Sequence, residues 1–260
     1  MHIILLAMLS AAQAAPTQTP AATSVSELHQ ADWRSALEVQ MDLARQDEPE
    51  AVAAFAAVAP IQNRAGQLFL ITPDSEYRYT LLADRLVNGD DVGEVRTALA
   101  RQLAPVGKTQ PELIVGLLEA EEDPLVRSAL LHGLRRVDGE LALPLIAASL
   151  QSSDNTERFE AAQLAGMHAD GAELGLALSA VLTDSDPMVR QAAARSLGVH
   201  KVASSTQDLA PLLQDDSSAV RLAALNALDR IDPTQAAALS APLVNDADPK
   251  VARAAQRLAP

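Results

Sequence analysis

The chain has 260 residues, of which 48% are apolar and only 2% aromatic, a composition dominated by Ala and Leu that favours helices. The net charge of −14 argues against nucleic acid or an anionic membrane surface as the main partner. Because there is no cysteine, disulfides and thiolate chemistry are excluded.

The N-terminus has the pattern of a secretory signal peptide. An apolar run over residues 3–12 is too short to span a bilayer as a helix, and Ala12-Gln13-Ala14 forms an A-x-A cleavage pattern ahead of a Pro- and Thr-rich stretch. We therefore predict a signal peptide over residues 1–14, a flexible linker over residues 15–26, and a periplasmic or secreted protein. A buried helix start is the alternative, because no Lys or Arg precedes the apolar run.

Residues 27–72 predict an irregular helical cap that contains an insertion. "LHQADWRSALEVQMDLARQ" and "EPEAVAAFAAVAP" are typical of a helical pair, whereas "IQNRAGQLFLITPDSE" breaks the pattern. We expect the stretch from Gly66 to Thr72 to be briefly extended and to end at Pro73.

Aromatic residues are concentrated near this cap, where five of the chain's six lie within residues 33–79. Trp33, Tyr77 and Tyr79 predict a partly exposed contact site for a partner, since aromatic side chains dominate protein interfaces. The alternative is that these rings form the buried core of an end cap.

Residues 73–260 predict six repeats with a period of 31 or 32 residues. One column of the repeat, here called the anchor column, contains Val95, Val126, Glu157, Val189, Val220 and Val251. The next position contains Arg96, Arg127, Arg158, Arg190 and Arg221. Such a period is typical of stacked supersecondary units that bury their apolar faces only against one another.

Each repeat is predicted to form two helices joined by a turn. Asp-Pro pairs precede the anchor column at Asp123, Asp186 and Asp248, and an Asp at the N-cap followed by Pro at the first helical position marks a helix start. We therefore expect the second helix of each pair to begin there. Gly166 and Gly198 suit the ends of second helices.

The segments "DPLVRSALLHGL", "DPMVRQAAARSLG" and "DSSAVRLAALNALDRI" resemble HEAT repeats, specifically a short bacterial type similar to the repeats of phycobilisome lyase subunits. The resemblance implies an all-α, right-handed α-solenoid of stacked antiparallel helix pairs. It also implies a structural ladder between neighbouring repeats, formed by the five arginines above together with Asp123, Asp154, Asp186 and Asp248.

The scarce histidines and the many acidic residues have simple interpretations. His168 and His200 are expected to be solvated loop residues, and a metal site is not expected because no repeated column supplies further ligands. The acidic turns are expected to cap helices and to line one edge of the solenoid. The repeat around Glu157 breaks its columns, which predicts either a bend or an exposed contact that includes Phe159.

The sequence thus predicts an exported, non-catalytic scaffold for protein–protein interaction, without a cofactor. Its partner is expected to present a basic or mixed-charge surface, because acidic turns should flank the binding face. The alternative is a subunit or chaperone of an enzyme that handles a cofactor, as a lyase-like resemblance would imply.

Overall fold

The structure is a computed structural model that describes residues 61–62, 68–69, 78–88 and 93–259. The chain divides into two compact units, Met1–Leu134 and Arg135–Pro260. The predicted signal peptide, the linker and most of the predicted cap lie outside the described residues, so these boundaries stay predictions.

The first unit contains a short strand pair followed by helices. The strands β1 and β2 are antiparallel, and Ile61 pairs with Phe69. A 3-10 segment, Ala104–Lys108, separates the two helix pairs. The elements are β1 (Ile61–Gln62), β2 (Leu68–Phe69), α1 (Arg78–Asn88), α2 (Gly93–Leu103), α3 (Pro111–Ala120) and α4 (Pro124–Leu131).

The second unit continues the helix pairs as far as Leu258. Its helices are α5 (Gly139–Ser149), α6 (Asn155–Met167), α7 (Gly175–Ala180), α8 (Pro187–His200), α9 (Thr206–Leu209), α10 (Ser218–Ile231), α11 (Pro233–Ser240) and α12 (Pro249–Leu258). Short 3-10 segments extend α7, α9 and α11, so the first helices of these pairs are less regular than the second ones. The second helices α6, α8, α10 and α12 pack side by side in that order.

The second helices begin where the Asp-Pro signal predicts them. Asp123, Asp154, Asp186 and Asp248 are the N-caps of α4, α6, α8 and α12, and each side chain accepts a hydrogen bond of 2.7–2.9 Å from an amide two or three residues later. These bonds satisfy amides that have no partner within the helix. Ser217, the N-cap of α10, makes no such side-chain bond.

The repeated apolar columns form the core of each unit. Val126 in the first unit and Val189 in the second are fully buried, as are the leucines eight residues later, Leu134 and Leu197. Each such side chain contributes about 1.5–3 kcal/mol relative to an exposed one. The predicted core positions are therefore confirmed at these repeats.

Gly166 and Gly198 do not end their helices as the sequence predicted. Each lies inside a second helix, where a Cβ atom would meet the next second helix: 2.4 Å from Ser196 Oγ at Gly166, and 2.6 Å from Ala227 Cα at Gly198. Their role is close packing between repeats. The left-handed residue that ends α8 is Lys201, with φ of 52°.

Glu157 occupies the apolar anchor column yet is 2% exposed. Its carboxylate accepts hydrogen bonds of 2.7 Å from the hydroxyls of Ser149 and Ser152. Ser149 itself stands in a column that holds Val181 and Leu212 in later repeats. Both apolar columns therefore have a polar residue in this repeat, and the buried Glu157 carboxylate is satisfied by hydroxyl donors.

The histidine interpretation was wrong for His168, which is buried. Its Nδ1 accepts a bond from the amide of Asp170, so Nε2 carries the proton and donates to the carbonyl of Val137 at 3.0 Å. His200 Nε2 lies 2.8 Å from the carbonyl oxygen of Ala165 in the same way. Both rings thus connect the end of a second helix to backbone over 30 residues earlier.

Candidate partner-binding groove and repeat ladder

The exposed face of the second helices forms an open groove in the second unit. Residues four apart lie on one side of a helix. Three rows at this spacing line the groove: Phe159, Gln163 and Met167 on α6; Gln191, Arg195 and Val199 on α8; Leu222, Asn226 and Arg230 on α10. Two depressions of about 480 and 220 Å³ share Gln191 and Arg195, so the groove is continuous along these helices.

Large apolar side chains line the smaller depression, together with Gln163, Gln191 and Arg195. Phe159 is half-buried there, beside Met167, Met188 and Val199, which are 45%, 53% and 41% exposed. Single exposed apolar side chains are common, but four around one depression are typical of a contact surface. Methionine also adapts its shape to different ligands.

The larger depression is positively charged. Arg195, Arg230 and Lys250 line it and are exposed, and Asp248 contributes a carboxylate at its edge. At the corresponding positions on α12 stand Arg253 and Arg257, which are also exposed.

A ladder of ion pairs runs along the turns of the second unit. Arg158, Arg190 and Arg221 each hold one carboxylate of the next repeat with two hydrogen bonds of 2.6–2.9 Å, and the acceptors are Asp184, Asp215 and Asp246. The third guanidinium nitrogen donates to two carbonyls of the arginine's own turn, as Arg190 does to Asp184 and Ser185. These bidentate contacts connect consecutive repeats with defined geometry.

The carboxylates of this ladder correct the sequence analysis, which assigned Asp123, Asp154, Asp186 and Asp248. The acceptors Glu121, Asp184 and Asp246 lie two residues before the assigned Asp123, Asp186 and Asp248. The four assigned aspartates instead cap helices. A column of acidic residues five positions before the anchor carried the signal: Glu121, Asp184, Asp215 and Asp246.

Two of the capping aspartates nevertheless make a bond between repeats. Asn155 Nδ2 donates to Asp186, and Ser218 donates to Asp248. Each donor is the first residue of the preceding second helix. Where that residue is Pro, as at Pro187, it offers no donor.

The arginines of the first unit differ from one another. Arg96 makes one bond of 2.7 Å to Glu121 in the next turn. Arg127 donates to the carbonyls of Leu118 and Glu121 in its own repeat. Twenty-five residues beyond Arg127, where later repeats have an aspartate, the sequence has Ser152.

The ladder shifts the titration of its members. The hydrogen bonds from Arg158, Arg190 and Arg221 hold the pKa of Asp184, Asp215 and Asp246 below the ordinary aspartate value. The same contacts raise the pKa of the three arginines.

Three acidic residues of the expected acidic edge are paired within the ladder. The side chains of Asp184, Asp215 and Asp246 are only 7–8% exposed, and each is paired. These three carboxylates are therefore used inside the fold, whereas Asp216 in the same turn as Asp215 is exposed.

Of the predicted aromatic contacts, Phe159 lies in the groove and Tyr79 is half-buried at the start of α1. Trp33 and Tyr77 lie outside the described residues, so the N-terminal contact site stays a prediction. The sequence analysis missed Met167, Met188 and Arg195, because it followed buried columns and not the exposed face of the same helices.

The described part of the chain contains no cluster of three or more His, Asp or Glu side chains arranged to hold a metal ion. Over the same residues, no helix has the length and hydropathy needed to cross a membrane.

Residues 176–259 match the family model described as HEAT repeats. This segment is similar to HEAT repeats. It contains α8, α10 and α12, the helices on which most of the groove and ladder is built. The expected similarity to phycobilisome lyase repeats stays a prediction, because the matching model is the general one. A comparison with curated protein sequences found no match.

Solved structures show the same fold at low sequence identity. YibA of Escherichia coli is 12% identical, with a TM-score of 0.56 over 94% of this chain and 98% of its own. Kap121p bound to Pho4p is 13% identical, with a TM-score of 0.57 over 91% of this chain and 26% of its own. Cex1p is 17% identical, with a TM-score of 0.53 over 92% of this chain and 51% of its own. Apart from the short strands β1 and β2, the described residues form an all-α solenoid of stacked helix pairs, which is similar to HEAT repeats over residues 176–259.

Proposed function

We propose that this chain is an exported, non-catalytic scaffold that binds a protein partner in the second-helix groove. The observation that carries the proposal is the apolar depression around Phe159, Met167 and Met188, which is exposed and opens onto a row of polar side chains. When a partner covers a surface of this kind, apolar area is removed from water and the free energy of the complex is lowered.

The ladder supports a scaffold role because it holds the groove in one shape. Arg158, Arg190 and Arg221 connect the turns of four consecutive repeats. A groove whose helices are already ordered loses less conformational entropy when it binds a partner.

The solenoid fold is one that binds proteins and peptides, and it is typically non-catalytic. In the solved structure of Kap121p, which shares this fold, Pho4p is bound. We propose that the partner here has a mixed-charge surface, because exposed arginines line the groove whereas the chain as a whole carries a net charge of −14.

Export is part of the proposal and rests on the sequence of the N-terminus. The apolar run and the Ala12-Gln13-Ala14 pattern support cleavage after Ala14, followed by residence in the periplasm or outside the cell. N-terminal sequencing of protein from the native cell envelope is expected to begin at Ala15. Recovery of the chain from the cytosol with Met1 intact would contradict export.

Site-specific photo-crosslinking tests the scaffold role. We expect a photoreactive residue at Gln191, which is exposed in the groove, to capture one defined protein in the native host. The matched control is Gln207 on α9, which is exposed and does not line the groove. A scaffold that binds elsewhere would crosslink equally from both positions or only from Gln207, and either result would overturn the assignment of the groove.

A further inference from the structure

We infer that the groove takes an acidic segment of the partner protein that carries an apolar anchor side chain. This inference rests on the proposed scaffold function and specifies the chemistry of the partner at the same site. It departs from the basic or mixed-charge partner that the whole sequence predicts, because the groove is positively charged whereas the chain as a whole is negatively charged.

The exposed face of the second helices is basic. The positions two, six and ten residues after the anchor column form the exposed rows on α6, α8, α10 and α12. These eleven positions contain four arginines and no acidic residue: Phe159, Gln163, Met167, Gln191, Arg195, Val199, Leu222, Asn226, Arg230, Arg253 and Arg257. In a chain with 34 acidic and 20 basic residues, this face is selectively depleted of acids.

The groove arginines are available to a ligand. Arg158, Arg190 and Arg221 use their guanidinium groups within the ladder, whereas no salt bridge joins Arg195 or Arg230 to a carboxylate in the part of the chain that the structure describes. Arginine binds carboxylates through paired hydrogen bonds, so this surface complements Asp and Glu side chains.

The apolar depression supplies the anchor site. Its volume of about 220 Å³ is below the usual range of sites for whole small molecules, about 300–1,000 Å³, and fits one large apolar side chain. Phe159, Met167, Met188 and Val199 surround it. An anchor in such a pocket with charged contacts beside it is the usual energetic arrangement of a peptide-binding surface.

The dimensions of the helix row define the length of the segment. Neighbouring packed helices lie about 8–10 Å apart, so α6 to α12 spans about 25–30 Å. An extended chain rises about 3.3 Å per residue, and about nine residues therefore cross the groove. The anchor lies at the α6 end and the acidic residues follow toward α12.

A basic face also attracts nucleic acid, which is the competing ligand. A single-stranded nucleic acid is bound where several aromatic side chains stack successive bases, whereas the eleven positions of this face contain one aromatic residue, Phe159. The overall charge of −14 also repels a long polyanion that extends beyond the groove.

Three fluorescently labelled peptides of about 12 residues test the inference with the full chain, since this length covers the groove with a short margin. Each has a Leu at one end, and the rest alternates Gly with Glu, Lys or Gln. Fluorescence anisotropy is expected to show the tightest binding for the Glu peptide, and this binding weakens as salt is raised from about 0.05 to 0.15 M. Tighter binding of the Lys peptide would overturn the inference.

Charge reversal locates the binding. In the double variant Arg195→Glu/Arg230→Glu, we expect the affinity for the Glu peptide to fall by about tenfold or more and the Lys peptide to gain affinity. Arg135→Glu is the matched control, because Arg135 is exposed and lies outside the groove. Thermal unfolding checks that each variant is folded. Equal losses in the double variant and the control would overturn the inference.

The anchor is tested by Met188→Asp, which places a charge at the depression and is expected to weaken the Glu peptide more than Gln191→Asp does. An outcome in which a single-stranded oligonucleotide displaces the Glu peptide more effectively than unlabelled peptide would assign the face to nucleic acid and overturn the inference. If the Lys peptide binds more tightly than the Glu peptide while Gln191 still crosslinks a protein, the proposed scaffold function stands and the inferred acidic partner segment is wrong. If Gln191 captures nothing and no peptide binds, both fail.

Discussion

Arg190 holds the carboxylate of Asp215 with two hydrogen bonds, from Nε to Oδ2 at 2.8 Å and from a terminal nitrogen to Oδ1 at 2.9 Å. The pair joins two successive repeats, and Asp215 is 7% exposed in its side chain. Oδ1 also accepts the amide of Ser217, which orients the turn for the next helix. The pair therefore organises both the contact between repeats and the start of α10.

Removal of this arginine is expected to destabilise the fold. Arg190→Ala leaves a poorly solvated carboxylate and two turn carbonyls without their donor, and we expect the free energy of unfolding to fall by about 1–3 kcal/mol. Chemical denaturation measures the change. Arg195→Ala on the same helix is the control, because its exposed side chain lies outside the ladder, and its effect should stay within about 0.5 kcal/mol. Equal midpoints for the two variants would show that the ladder contributes no stability.

Stability is expected to decrease in acid because of the ladder. Asp184, Asp215 and Asp246 have pKa values held below the ordinary value by their arginines. A carboxyl with a lowered folded-state pKa stabilises the fold above its unfolded-state pKa of about 3.9, and this contribution is lost as the pH falls through the folded-state pKa. The free energy of unfolding should therefore fall as the pH is lowered below about 5.

Asp215→Asn separates the ladder from other acid effects. The variant is less stable at neutral pH, and its stability should decrease less between neutral pH and about pH 3 than that of the unmodified chain. Denaturant titrations at several pH values measure both slopes. Parallel slopes would mean that Asp215 titrates alike in the folded and unfolded chains.

Gly198→Ala is expected to push two second helices apart. The added Cβ would lie 2.6 Å from the Cα of Ala227, and backbone on α10 cannot move aside as a flexible side chain does. We expect a loss of about 1–3 kcal/mol, typical of overpacking, despite the better helix propensity of Ala. Thermal or chemical unfolding measures it, and Gln191→Ala on the same helix is the neutral control. A stabilised Gly198→Ala variant would contradict the observed close packing.

Lys201→Gly is expected to stabilise the chain. Lys201 has a φ of 52°, in the left-handed region that costs a residue with a Cβ about 1–2 kcal/mol and that glycine adopts freely. Since glycine also has more freedom in the unfolded state, we expect a net gain of about 0.5–1 kcal/mol in the free energy of unfolding. The control is Lys201→Ala, which keeps the Cβ atom and should give no gain.

Ser149 and Glu157 are expected to be energetically coupled. Ser149→Val removes a donor from a buried carboxylate and should cost about 1–3 kcal/mol. The double variant Ser149→Val/Glu157→Val restores the apolar pair that the next repeat has at Val181 and Val189, and it should be more stable than the serine single variant. A double-mutant cycle measures the coupling, and additive single effects would contradict it.

The periodic sequence predicted much of the fold from local chemistry. Apolar positions recurring every 31 or 32 residues identified core residues such as Val126 and Leu197, and Asp-Pro pairs identified the starts of α4, α8 and α12. These features depend on helix periodicity and on amides next in the chain, so they can be recognised without tertiary contacts.

The contacts between repeats could be predicted less completely from the sequence. The sequence indicated that Arg158, Arg190 and Arg221 are equivalent, but not which acid of the next turn they meet. In the turns that Arg158 and Arg221 meet, two aspartates stand two residues apart, and only the packed structure shows that one caps a helix while the other faces the arginine.

The sequence by itself determined that this chain repeats a helix pair and where the second helices begin, because those signals are local. Only the tertiary structure decided that Gly198 serves close packing, that His168 bonds to a distant carbonyl, and that Arg195 and Met188 share one exposed groove. The physical reason is that a repeat period identifies equivalent positions, whereas the distance between helices and the direction of each side chain decide which of them meet.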